Sequence, residues 1–127
     1  MKILYIDNKN YIHNADSHVD FLASLDKSGI FTVVGYGNNL SKKIDKVIRP
    51  NLGSQGDLSR VAAKYKPDLI LTYNSGPDIA GLYSWISDDL SRMDIPKFHI
   101  ATDFMRHGFE PNQASFLEYI GYTAVFF

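Results

Sequence analysis

Five short runs of apolar, β-forming residues recur along the chain, and segments of helical periodicity separate them. The runs are KILYID (Lys2–Asp7), IFTVVGY (Ile30–Tyr36), DLILTY (Asp68–Tyr73), KFHIAT (Lys97–Thr102) and YTAVFF (Tyr122–Phe127). Each is apolar at consecutive rather than alternate positions, which suits strands buried on both faces of a parallel sheet. Parallel neighbours require a crossover of a dozen or more residues, and the intervening segments have that length. The expected fold is therefore α/β: a doubly wound parallel sheet of about five strands, with helices on both faces and right-handed crossovers.

The helical segments carry their own punctuation. Asn14 is placed to cap a helix with Val19, Leu22 and Leu25 at helical spacing and Phe21 beside them, stopped by Gly29. Ser54-Gln55-Gly56-Asp57 has capping-box spacing, Leu58, Val61, Ala62 and Tyr65 share one face, and Pro67 ends the run. Ser75 and Asp78 repeat the capping pattern ahead of Ile79, Leu82, Tyr83, Ile86, Leu90 and Met93. A last helix is expected from Pro111 and Asn112, with Ala114, Leu117 and Ile120 facing inward until Gly121. Leu40 to Gly56 reads as a surface excursion in which Leu40, Ile44 and Val47 allow a short amphipathic helix before Pro50, Gly53 and Gly56 break it up. Four of the thirteen basic residues (Lys42, Lys43, Lys46, Arg49) fall there, as the solvated face of that helix.

Composition narrows the class further. A chain of 127 residues, 45% hydrophobic and 21% charged, is one domain with a core of its own, and neither disorder nor a coiled coil fits it. A net charge of −1 provides no global field to recruit nucleic acid or an anionic membrane. The absence of cysteine excludes disulfides, thiolate metal sites and a cysteine nucleophile, and accords with a cytoplasmic location. No run approaches the roughly 18 apolar residues of a membrane-spanning helix. The sequence stops on Val125-Phe126-Phe127 without a polar tail, so the expectation is a single Rossmann-like domain over 1–127 that forms the N-terminal half of a longer two-domain protein.

In such a sheet the loops that follow the strands share one edge, where open α/β sheets place their ligands. Those loops are Asp7–His13, Gly35–Asn39, Tyr73–Asp78 and Asp103–Glu110. The first lacks G-x-G-x-x-G, and no Walker lysine, H-E-x-x-H, G-x-S-x-G or carboxylate pair at catalytic spacing occurs anywhere. Asp103, closing an apolar strand, is the leading catalytic candidate: a carboxylate there takes a hydroxyl proton, binds hydroxyls or caps the next turn. His13 in the first loop is the second, as a base or an orienting group. Arg106 and His107 follow Asp103 closely enough to share its site, and Arg106 is suited to clamping an anionic group. His18, within a helix, reads as structural and His99, within a strand, as a satisfied core histidine. The histidine spacing matches no metal-ligand pattern, so no metal and no cofactor are expected.

Two resemblances bear on function. The stretch PDLILTYNSGPDIAGL (Pro67–Leu82), with Pro77-Asp78 and Gly81, resembles response-regulator receiver domains around their third strand. Tyr73 stands where their phosphoaccepting aspartate belongs, Asp7 is a single acid where a Mg²⁺-binding pair is expected, and no lysine ends the fifth strand. That resemblance implies a non-phosphorylatable protein-interaction or signalling module. The second covers essentially the whole chain. MKILYID, KPDLILTY, IPKFHIATDF and the helix leading into IGYTAVFF resemble the N-terminal domain of GT-B glycosyltransferases, particularly the bacterial spore-protein-like and family-four-like groups. It implies that this half binds a carbohydrate or other hydroxyl acceptor. The nucleotide-sugar donor would be held mostly by a second domain, and these residues alone would be inactive. In that reading Asp103 or His13 is the base or orienting group. Asn74 and Ser75 bind hydroxyls, Arg106 helps meet the leaving diphosphate, and Asn8 and His107 complete the binding set. The usual glycine-rich first loop is replaced by DNKNYIHN (Asp7–Asn14).

Overall fold

A computed structural model describes residues 1–7, 17–37, 44, 46–48, 56–74, 84–101 and 121–126. The elements are β1 (Lys2–Asp7), α1 (Ser17–Lys27), β2 (Thr32–Tyr36), β3 (Lys46–Ile48), α2 (Asp57–Tyr65), β4 (Leu69–Asn74), α3 (Ser84–Arg92), β5 (Lys97–Ala101) and β6 (Ala124–Phe126). They form one six-stranded sheet of order β3-β2-β1-β4-β5-β6 in which every pairing is parallel. The chain builds outward from β1 through β2 to β3, crosses back through α2, and builds outward again from β4. The order therefore reverses between β1 and β4, which is the topological switch point of a Rossmann-like sheet.

Side-chain parity along the strands explains both layers. On one face Leu4 and Ile6 of β1, Val34 and Tyr36 of β2 and Ile70 of β4 pack with Leu58, Val61 and Ala62 of α2 and Leu90 of α3. On the other, Ile3, Tyr5 and Val33 pack with Leu22 of α1 and with Ile44, joined by Leu25, Phe31, Leu69 and Leu71. Consecutive residues of β1 thus feed opposite cores, which is why its sequence is continuously apolar. Each fully buried aliphatic side chain contributes about 1.5–3 kcal/mol by removal from water. The covering of both faces, expected from the alternation of elements, is what the structure has.

Two local expectations change. Within Leu40–Gly56, residues 46–48 are a strand rather than part of a helix, so the sheet gains a sixth member at its edge. Val47 and Ile48 are β-branched, and the open side of β2 offers a ladder: Val34, Gly35 and Tyr36 register with Lys46, Val47 and Ile48. Ile44, buried to 2% exposure, anchors the approach to that strand. The second change is at α2, whose N-cap is Gly56 at φ 83° with no side-chain cap of its own. Its capping group comes from elsewhere in the chain, as described below.

The helix ends agree with the glycine and proline signals. Gly29 takes φ 78° just beyond α1, a left-handed conformation that glycine adopts without steric cost. At the end of α2 Lys66 takes the same role at φ 49°, its N–H donating to Ala62 O at 2.8 Å, and Pro67 follows. The amino-terminal part of the third predicted helix and the whole of the last one lie outside the described residues.

Candidate functional site

Because every strand is parallel, the residues that end them share one edge. β1 ends at Asp7, β2 at Tyr36, β4 at Asn74 and β5 at Ala101. Across the switch point Asp7 registers with Tyr73, and Asn74 registers with Ala101 one strand further on. Asn74 therefore closes β4 at this edge, with its side chain outside the described set. Asp103, His13, Asn8, Ser75, Arg106 and His107 all lie outside the described residues. The structure places the strands that lead to them and not the side chains themselves.

The described part of the edge holds a buried polar network that spans three elements. Tyr36 OH donates to Asp57 Oδ2 at 2.7 Å, and Arg60 Nη2 donates to Asp57 Oδ1 at 2.7 Å. Asp57 is 8% exposed and Asp89 2%. From α3, Asp89 accepts three backbone N–H groups at the start of α2: Gly56 on Oδ1 at 3.2 Å, and Leu58 and Ser59 on Oδ2 at 3.1 and 3.2 Å. These amides have no partner inside the helix, so a carboxylate there both satisfies donors and meets the positive end of the helix dipole. Burial first, then the Asp57 hydrogen bond and the charges of Asp57 and Asp89, push the Tyr36 phenol well above its ordinary range, so it remains a donor. One chemical consequence is an exclusion. A helix N-terminus is a natural phosphate cradle, but that of α2 is already filled by the protein's own carboxylate.

A second network lies two residues below the edge. Thr72 of β4 and His99 of β5 are register partners, and Thr72 Oγ1 contacts His99 Nδ1 and Tyr122 OH, each at 2.6 Å. The His99 and Tyr122 rings are 5.3 Å apart, tilted by 51°. Thr72 has one proton to give, so it donates to one neighbour and accepts from the other. Burial pushes Tyr122 up to about 12, a rise that its bond to Thr72 opposes, and burial pushes His99 down to about 4. Both are neutral at pH 7. His99 is buried, as its place in a strand implied, but only its Nδ1 is paired: Nε2 has no partner among the described residues.

This network sets a pH dependence. An unfolded histidine titrates near 6.5, whereas folded His99, held neutral by burial, takes its proton only near pH 4. Between those values the unfolded chain holds more protons, so stability is complete above 6.5 and falls as the pH drops toward 4. At about pH 4.5 the loss is about 2.5 kcal/mol. Urea unfolding at pH 7.5 and 4.5 checks this. The difference between the two pH values is expected to shrink by most of that amount in His99→Gln, whatever the other histidines contribute.

No described group of acidic or histidine side chains is arranged to hold a metal ion. Among the described residues no helix is long and apolar enough to cross a membrane. Sequence reasoning missed the Tyr36–Asp57–Asp89 network because its partners stand 21 and 30–33 residues apart. The available signal was Asp89 itself, an acid directly preceding the core residue Leu90 on an otherwise amphipathic helix.

No family model matches the chain, and no curated protein matches it. A solved structure similar to it is that of a protein described as pilus assembly-related from Burkholderia pseudomallei K96243. The identity is 16%, the match covers 98% of this chain and 75% of that one, and the TM-score is 0.48. A likeness at that level assigns no function; the fold stands on the strand order and pairings themselves.

Proposed function

We propose that residues 1–127 form the acceptor-side half of a GT-B glycosyltransferase. The observation that carries the reading is the reversal of strand order between β1 and β4, since that crevice is where a doubly wound sheet binds small molecules. Two of the quoted motifs fall on the strands that flank it, since MKILYID includes β1 and KPDLILTY covers most of β4, and IPKFHIATDF contains β5, the next strand along. In the reaction, an acceptor hydroxyl oxygen attacks the anomeric carbon of a nucleotide-sugar. The bond from that carbon to the diphosphate oxygen breaks, the nucleoside diphosphate departs, and the hydroxyl proton passes to Asp103 or His13. Asn8, Asn74 and Ser75 bind acceptor hydroxyls, and Arg106, with His107 beside it, offers positive charge to the leaving group. A second domain supplies most donor contacts.

The test is a transfer assay on the full-length protein as its gene encodes it, with a panel of uridine, guanosine and adenosine diphosphate sugars and hydroxyl acceptors. Acceptor-dependent release of a nucleoside diphosphate is expected from at least one donor. No release from any donor would count against the reading.

A receiver-like interaction module is the second reading, and one feature favours it. With the three-residue β3 set aside, the remaining order β2-β1-β4-β5-β6 is that of a flavodoxin- or receiver-type sheet. Tyr73 then registers with Asp7, in the phosphoacceptor's place and without its chemistry. This reading predicts a protein partner on the β5–β6 side and no transfer.

A further inference from the structure

The net charge is −1, but among the described residues lysines gather toward the amino edge of the sheet. At the amino edge β1 begins with Lys2 and α2 ends in Lys64 and Tyr65 with Lys66 as its C-cap, and Lys46 of β3, in register with Val34, reaches the same tyrosine. Lys46, Lys64 and Lys66 are exposed. Two of these ammonium groups gather on one ring, with Lys46 Nζ 5.0 Å and Lys64 Nζ 5.4 Å from the centroid of Tyr65. Lys2 Nζ donates to the Tyr65 carbonyl at 2.7 Å. No carboxylate among the described residues is in ion-pair contact with Lys46, Lys64 or Lys66. The neighbouring acid, Asp68, is engaged in accepting the Lys2 N–H at 2.7 Å.

The helix dipole accounts for a lysine in the last turn of α2 but not for Lys46, which arrives on the same ring from a separate strand. Cation–π attraction offsets only part of the repulsion between like charges held together. Apolar surface accompanies the charge at this edge: Met1, before β1, is 64% exposed and Ile30, before β2, is 69% exposed. Flexible ammonium groups around a half-buried tyrosine, with aliphatic side chains at their feet, match the headgroup region of an anionic bilayer. A rigid acidic protein would instead need fixed partners for each charge.

We propose that the amino edge of the sheet is a docking surface for an anionic lipid bilayer. The carboxyl edge, one strand length or about 20 Å away, then faces the aqueous phase. Binding is peripheral and electrostatic, and salt at about 1 M abolishes it. The inference stands apart from the assignment of the carboxyl edge, because its assay reads only partition onto lipid.

Sedimentation with vesicles of one-third phosphatidylglycerol in phosphatidylcholine, and with phosphatidylcholine alone, tests it at low and high salt. The protein is expected on the anionic vesicles at low salt only. The triple variant Lys46→Glu, Lys64→Glu, Lys66→Glu is expected to lower the partition coefficient by about tenfold or more. Ser59→Glu, exposed in the first turn of α2 at the carboxyl edge, is expected to change it less than about twofold, and circular dichroism reports that each variant is folded. Equal binding of wild type and the triple variant, or no binding to anionic vesicles, would overturn the proposal. So would binding to polyglutamate or RNA with none to vesicles.

Discussion

Asp89→Ala lowers the free energy of unfolding by about 3 kcal/mol, a cost as large as that of a cavity in the core. The reasoning is local. The Asp89 carboxylate is 2% exposed and accepts from Gly56, Leu58 and Ser59. Alanine leaves the Leu58 amide, on a residue with no exposure, without an acceptor, and an unsatisfied buried donor costs about 1–3 kcal/mol. Loss of the capping interaction adds about 1 kcal/mol. The damage is not confined to α2, because Asp57 starts that helix and holds both Tyr36 and Arg60. Asp89→Asn recovers only part of the loss, since its amide nitrogen faces backbone donors rather than acceptors. Denaturant unfolding at pH 7 measures both. A loss below about 0.5 kcal/mol for alanine would mean that the three amides have other partners.

The second large effect concerns chemistry. In the full-length protein Asp103→Ala is expected to reduce kcat for sugar transfer by about 10²–10⁴-fold if the carboxylate is the base. Stability is expected to change much less than in Asp89→Ala. His13→Ala separates the alternatives. If Asp103 removes the proton, His13→Ala acts mainly on KM and leaves the pH profile of kcat in place; if His13 is the base, the roles exchange. Wild-type transfer rates in both variants would remove both residues from the mechanism.

How far the sequence reached depended on the range of the interactions. β1 was bounded correctly because all its information is local: a continuously apolar run buried on both faces and closed by Asp7-Asn8. The same holds for the Gly29 stop and for the Leu58, Val61 and Ala62 face of α2. β3 was missed because three residues carry no period of their own; Lys46-Val47-Ile48 is a strand only because β2 lies open beside it. Capping at α2 was misread for the same reason. Local spacing suggested a Ser54–Asp57 box, whereas the group that meets the amides comes from α3. Of the candidate site, the parallel topology secures the edge itself, with Asp7 and Asn74 ending neighbouring strands there. Asp103, His13, Ser75, Arg106 and His107 were legible only as residue types in loops, where chemistry lies in orientation that strand and helix periodicity does not encode.

The Thr72–His99–Tyr122 network gives that edge a physical basis. It ties β4 to β5, and both to the approach to β6, two residues below the ends of the two strands. Strand ends held that way keep a fixed relation to one another.

Chemical-shift mapping on ¹⁵N-labelled protein tests the acceptor-half reading most directly. Under titration with the oligosaccharide that the transfer assay identifies as acceptor, shifts are predicted at Asp7, Asn8, Asn74, Ser75, Asp103 and Arg106, with the amino edge around Tyr65 silent. Shifts confined to the β5–β6 side, or none at the carboxyl edge at saturating acceptor, would contradict it.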